Sequence, residues 1–541
     1  MKKTRCSVAA VSIAAALSWG AAAMAVELPS IFDNHMVIQR DVKAPVWGWA
    51  PAAATITVEF AGQTKSATVD STGKWKVVLD PMKANPRGQA MTITESTQSE
   101  GTSATPPRSL LSSVKFDDVL IGDNWICSGQ SNMEWGMDGT TNSGQELAVV
   151  VNYPTIRFYR IPDHISRDLP QENCPGKWNV LTPESARQLT AVGYFFGRRL
   201  NKELNIPIGL VQTAWGGTAI EPWINPAGFR MVPELADYAK RIDMFDPSTA
   251  VGRQTAEELI QRVSDWLPTA KAAIQAGKAM PPMPEAPRRD NSCGIYNGMI
   301  APLVPFAIKG AIWYQGESNG GEGISYFHKM QALIGGWRKD FGVGAFPFYW
   351  VQLANFQNPN PNPEGGDGWA RVREAQRKSL EIPNTGMAVA IDLADVGNPG
   401  DIHPKNKQDV GWRLAQWALF QAYNKKNLVP SGPLFKSVKV EGSKIRVSFD
   451  YTGGGLIVGE KKGLEPVKEV VGGKLKGFAI AGADKKWAWA DAAIDGKTVV
   501  LSSPEVPSPV AVRYAFSMNP DTANLYNKEG MPASPFRSDD W

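Results

Sequence analysis

The chain has 541 residues, of which 43% are hydrophobic and 20% charged, with a formal net charge of +4. That length exceeds what one core supports and fits roughly two to four domains. So small a charge, with so ordinary a composition, argues against nucleic-acid and membrane-surface partners and for a soluble globular protein.

The first 25 residues read as a targeting segment. Lys2, Lys3 and Arg5 form a basic start, Val8 to Leu17 a short apolar run, and Ala23-Met24-Ala25 a cleavage signature. The predicted mature chain starts at Val26. The apolar run is too short to span a bilayer, and no later stretch reaches the roughly 20 apolar residues a membrane helix needs. An exported protein, periplasmic or secreted, is expected.

Residues 26–116 read as a β-sandwich-like domain. Segments such as "TITVEFAG" and "KSATVDSTGKWKVVLD" alternate apolar and polar residues, with turn signals between them. A Gly/Ser/Thr/Pro-rich stretch from Ser99 to Arg108 reads as a linker. In residues 117–428 strands alternate with helices, the pattern of a parallel, doubly wound sheet. "DVLIGDNWIC", "IGLVQTAW", "IKGAIWY", "FPFYWVQL" and "GMAVAID" are the strand candidates. "AVGYFFGRRLNKEL", "WARVREAQRKSLE" and "PKNKQDVGWRLAQWALFQAY" are helices, the last with Pro404 in its first turn. Residues 429–541 return to β character and read as a second sandwich-like domain.

Cleavage removes Cys6 and leaves Cys127, Cys174 and Cys293. An odd number in an oxidising compartment leaves at least one free thiol, and Cys174–Cys293 is the possible bridge. Cys127 reads as a small buried hydrophobe. No cysteine or histidine spacing suggests zinc, and no cofactor is indicated.

In open α/β sheets, sites gather beyond the carboxyl ends of the strands. Four strand candidates here run into unusual polar clusters: "SGQSN", "AWGGTAIEPW", "QGESN" and "GDIHP". Ser131, in the first, is the candidate nucleophile, and it needs a base to accept its proton. His403, after a strand and before a helix, is the candidate general base and then acid. Acyl transfer builds negative charge on a carbonyl oxygen, so donors must face it. The Ser131 backbone N–H, the Gly216-Gly217 turn, and a side-chain amide from Gln315 or Asn319 are the candidates. Asp401, two residues before His403, is the preferred acid partner, with Glu317 as the competitor. The motif is not a nucleophile elbow, because Met133 stands where G-x-S-x-G needs glycine.

Together these blocks, "GDNWICSGQSNMEW", "QTAWGGTAIEPW", "WYQGESN" and "DIHPKNKQDVGWRLA", resemble the SGNH (GDSL-like) hydrolases, in their sialate O-acetylesterase-like branch. "LPSIFDNHMVIQRDVKAPVWGWA" and "NLYNKEGMPASPFRSDDW" extend the likeness toward both ends. The resemblance implies a flavodoxin-like three-layer α/β/α catalytic domain flanked by N- and C-terminal β-sandwich-like domains. It implies Ser131 as nucleophile, His403 as base, and Gly217 and Gln315 as oxyanion donors beside the Ser131 amide. Asp401 stands two residues before the histidine where the family usually has three, which keeps Glu317 and a bare Ser–His dyad open. The implied activity is hydrolysis of O-acetyl esters on sugars through an acetyl-serine, without a metal. Trp135, Trp215, Trp223 and Trp369 fall near the site loops; Trp215, Trp223 and Asn319 are the expected sugar contacts. The partner expected is an O-acetylated carbohydrate, either a sialic acid or a plant polysaccharide such as xylan or xyloglucan. An idle glycan-binding protein is the non-enzymatic alternative.

Overall fold

The protein is described by a computed structural model covering residues 26–98, 109–286, 290–395 and 397–541. The predicted leader 1–25 and linker 99–108 lie outside these residues. One long strand, Ser109–Gly129, ties the N-terminal β region to the large parallel sheet. Its first half pairs antiparallel with Asn85–Gln98 in the N-terminal β region, and Leu120–Gly122 pair in parallel with Val37–Gln39. Its second half lies between Ile208–Gln212 and Gly310–Tyr314, parallel to both. The strand therefore runs unbroken through the boundary expected at residues 116–117, and the N-terminal module shares a strand with the parallel sheet.

That sheet runs in the order Thr385–Val389, Phe348–Gln352, Gly310–Tyr314, Ser109–Gly129, Ile208–Gln212, Ile156–Arg160, Lys177–Val180. Only the last pair is antiparallel. Every residue of Ile208–Gln212, Gly310–Tyr314, Phe348–Gln352 and Thr385–Val389 is buried. Strands covered on both faces carry continuous apolar runs rather than alternation, which is how they read in the sequence. Ala191–Leu204 packs with Lys407–Gln421 in one helical layer; Ile324–Phe341 packs with Pro226–Met231 and Ala370–Lys378 in the other. Trp125 meets Phe196 and Tyr349 on the first face, and Trp313 meets Trp337 and Trp223 on the second. From the central strand the chain first winds toward Ile156–Arg160 and later toward Gly310–Tyr314. The carboxyl end of the central strand is thus the topological switch point, where α/β sheets open a crevice.

The C-terminal region forms small antiparallel sheets. One joins Leu434–Glu441, Lys444–Asp450, Thr498–Ser502 and Asp491–Asp495; another joins Trp487–Trp489, Phe478–Ala481, Ala511–Tyr514 and Phe536–Arg537. Two sequence expectations are corrected. The helix after His403 spans Lys407–Gln421 with Asn406 as its N-cap, so Pro404 precedes the helix instead of entering its first turn. Cys174 and Cys293 are both unpaired and buried, as is Cys127. Among the described residues no helix is long and apolar enough to cross a membrane. No group of three or more His, Cys, Asp or Glu among them is placed to hold a metal ion.

Candidate active site

The central strand ends at Gly129 with φ +138°, where an added Cβ would stand 2.2 Å from the Tyr314 carbonyl oxygen. Only glycine lets the chain cross the neighbouring strand end so closely. The Gln130 N–H bonds that same carbonyl at 2.9 Å. The Gln130 side chain, nearly fully buried, accepts from the backbone N–H groups of Gly316 and Ser318. Ser131 then opens the short helical turn Ser131–Glu134. The turn carries its hydroxyl just beyond the sheet.

His403 arrives from the loop between Thr385–Val389 and the helix Lys407–Gln421. Its Nε2 lies 3.0 Å from Ser131 Oγ. The imidazole stacks on Trp135, with ring centroids 4.6 Å apart and 23° between planes. Asp401 Oδ1 accepts the His403 backbone N–H at 2.9 Å and stands 3.7 Å from Nδ1. To accept the serine proton Nε2 must be bare, which puts the ring proton on Nδ1, toward Asp401. Burial, followed by the nearby Lys407 charge, lowers the histidine below its ordinary 6.5, while Asp401 pulls the other way. A neutral imidazole at pH 7 is the form a general base requires.

Gly216 lies directly against Ser131: a Cβ there would come within 3.3 Å of Ser131 Cβ and 3.2 Å of Glu134 Oε2. Its N–H donates to Glu134 Oε2 at 2.7 Å. Glu134 Oε1 meets His164 Nε2 at 2.6 Å, and the His164 ring lies flat on Trp215 at 4.8 Å. Trp215 is thus half-buried in the wall of the site. Gly217, one residue on, has φ +73°. Among the described residues the N–H groups of Gly217 and Ser131 have no hydrogen-bond partner, which leaves both free to turn to an oxyanion.

Asn132 sits at the crossing of the two catalytic loops. Its Nδ2 donates to Glu317 Oε1 at 2.6 Å and to the Ile402 carbonyl at 3.0 Å. Its Oδ1 accepts from Lys407 Nζ at 2.5 Å. Two acceptors on one side and an obligate donor on the other fix the amide's orientation. Glu317 bonds this amide and not the histidine, so Asp401 is the carboxylate placed beside the imidazole. Burial raises Glu317 above the ordinary carboxylate range, and its Oε2 is enclosed without a partner among the described residues.

Three expected contacts face elsewhere. Gln315 is fully buried and gives its amide protons to the Thr218 carbonyl and Asn319 Oδ1, while Tyr326 Oη–H donates to its Oε1. It braces the glycine loop and has no N–H left for an oxyanion. Asn319 accepts the Ile220 N–H and donates to Glu221 and Glu322, whose carboxylates also hold Lys329. Trp223 has 0% exposure and donates to Thr218 Oγ1 from the core. Both are buried behind the loop they were expected to border. Trp369 likewise stacks on Phe356 under the Glu317 turn. Strand-end position is legible in a sequence, but the direction a loop side chain faces is not. Glu134 and Lys407 stand inside the quoted blocks but were given no role there, and His164, outside every block, reaches the site only through space.

A doubly wound sheet whose central strand brings a serine hydroxyl against an imidazole fits the plan of an ester hydrolase. The family model "Carbohydrate esterase, sialic acid-specific acetylesterase" matches residues 289–419. A sialate O-acetylesterase of Rattus norvegicus is 31% identical over 455 residues, 78% of each chain. The Homo sapiens sialate O-acetylesterase is 29% identical over 460 residues, 78% of this chain and 76% of that one. The crystal structure of a carbohydrate acetylesterase from Xanthomonas citri superposes with a TM-score of 0.73 at 35% identity, covering 95% of this chain and 100% of that one. The chain belongs to the sialate O-acetylesterase family of carbohydrate esterases and is a carboxylic-ester hydrolase.

Proposed function

We propose that this protein is exported and removes O-acetyl groups from sugars through an acetyl-serine intermediate. The observation that carries the reading is the 3.0 Å contact between Ser131 Oγ and His403 Nε2, made by residues 272 apart in the chain. His403 takes the hydroxyl proton as Oγ attacks the acetyl carbonyl, and the imidazolium that forms faces Asp401. The unpaired Ser131 and Gly217 amides receive the developing oxyanion. His403 then returns the proton to the departing sugar oxygen, and a water activated by the same ring releases acetate. An acetyl group needs little room, so the sugar is held by the surroundings, among which Trp215 and His164 offer flat faces. Export rests on the basic start, apolar run and Ala23-Met24-Ala25 signature.

One preparation tests both parts. Expressed as the full chain and recovered from the periplasm or medium, the protein should begin at Val26 and release acetate from an activated acetyl ester. Ser131→Ala should lower that release at least about 10⁴-fold while the far-UV spectrum and melting temperature stay unchanged. Near-normal turnover in this variant would end the assignment of the nucleophile. Recovery only from the cytoplasm with the leader attached would end the assignment of export.

A further inference from the structure

Lys407 is the first helical residue after the catalytic loop, and its exposure is 0%. Both facts oppose a cation there: burial strips its hydration, and a helix N-terminus presents the positive end of the backbone dipole. The site nevertheless contains a lysine, with Nζ bonded to Asn132 Oδ1 and lying 5.5 Å from the Tyr314 ring centroid and 5.8 Å from that of Trp135. Trp135 is the ring on which His403 stacks. Asn132, in turn, adjoins the nucleophile and holds the carbonyl of Ile402, which adjoins the base. Lys407 thus contacts the catalytic pair from behind, through one amide and one indole, and does not itself reach the serine.

We propose that Lys407 is a positioning residue for His403, acting mechanically through Asn132 and electrostatically through its own charge. The inference rests on His403 being the general base. The ionisable groups around Lys407 are Glu317 from the turn after Gly310–Tyr314, Asp401 and His403 from its own loop, and Tyr314 from the strand end. Glu317 and Asp401 favour the ammonium, while burial brings Lys407 down to about 7. Below that pH, where an imidazole titrates, Lys407 is a cation and disfavours a second positive charge on His403. The base stays neutral to lower pH than it would alone. As the pH rises above 7 the charge fades, but the amine still donates to Asn132, so the mechanical role persists.

Two substitutions separate the roles: Lys407→Met removes charge and donor, and Lys407→Gln removes the charge but keeps an N–H for Asn132. In the Ser131→Ala background, the His403 imidazole is followed by NMR through a pH titration, without reference to turnover. Either change should raise its midpoint by about 1 pH unit. In the Ser131 enzyme the acid limb of kcat/KM should move up equally, and the alkaline plateau should fall further in Lys407→Met than in Lys407→Gln. A folded Lys407→Met protein whose imidazole midpoint does not move overturns the electrostatic role; equal plateaus in the two variants overturn the mechanical one. Should neither variant fold, the unsubstituted protein still tests the electrostatic role: with burial and the Lys407 charge both lowering it, its His403 must titrate below the ordinary 6.5, and a value at or above it overturns that role. Because the titration is read without catalysis, its failure is distinct from a failure of the esterase reading.

Discussion

At the scale of single residues the central question is how Asp401 serves His403. Its carboxylate is fixed by the His403 backbone N–H at 2.9 Å yet stands 3.7 Å from Nδ1, beyond a direct hydrogen bond. In the proposed mechanism it would therefore act on the imidazolium chiefly as a nearby charge and less as a tautomer clamp. Asp401→Asn should lower kcat roughly 10- to 100-fold, less than the roughly 10⁴-fold seen where such an aspartate bonds its histidine directly. Glu317→Gln keeps an acceptor for the Asn132 amide and should change kcat far less. Steady-state assays of the two variants check the ranking, and a larger loss in Glu317→Gln would move the acid role to that residue. The meeting of Ser131 with His403 and Asp401 could be anticipated because Ser131 follows its strand directly, while Asp401 and His403 lie in a short polar cluster between the strand Thr385–Val389 and the helix Lys407–Gln421. The Lys407–Asn132–Glu317 contacts could not, since pairing residues 132 and 407 needs the register of two loops 275 positions apart.

At the scale of elements, the strand end and the glycine loop set the geometry together. The strands of the α/β region and the helix Ala191–Leu204 were legible, because continuous apolar runs and helical periodicity survive in sequence. The continuity of Ser109–Gly129 was not, because a strand that leaves one sheet and enters another shows no break in pattern at the crossing. Glu134 shows what the short helical turn contributes beyond the Ser131 hydroxyl. Sitting one turn beyond Ser131, it ties the Gly216 N–H and His164 to the nucleophile's own helical turn. With the Gly216 amide bonded to Glu134, the Gly217 amide is the one of the pair left without a partner among the described residues, as the proposed oxyanion role needs. Glu134→Ala should free the loop and lower kcat by roughly 10²-fold, the scale of losing one oxyanion donor, with little change in melting temperature. Glu134→Gln keeps an acceptor for Gly216 and should recover most of that loss. An alanine variant with undiminished kcat would mean that the glycine loop holds its shape without the brace.

At the scale of the whole molecule, the β modules are joined to the catalytic sheet through buried polar groups as well as apolar surface. On the N-terminal side, Asp123 in the shared strand accepts from Gln39, Arg40 and, from beyond the last catalytic helix, Tyr423. On the C-terminal side, Arg373 is fully buried and donates to the carbonyls of Leu353 at 2.8 Å, Ala354 at 2.6 Å, Ser517 at 2.6 Å and Met518 at 2.9 Å. One guanidinium thereby fastens the C-terminal module to the segment beyond Phe348–Gln352. A few residues along, that segment bonds the histidine loop through Gln357 N–H to the Pro399 carbonyl at 2.7 Å. Arg373→Met fills similar volume but removes the guanidinium donor from four carbonyls, those of Leu353 and Ala354 buried and those of Ser517 and Met518 partly so, a loss of about 3–5 kcal/mol. Calorimetry should show the melting transition of the catalytic and C-terminal regions moving down together, and kcat at 25 °C should fall as the histidine loop loosens. If residues 429–541 melted as a separate transition already in the unsubstituted protein, the two regions would be independent units. The C-terminal module would then have no part in holding the base.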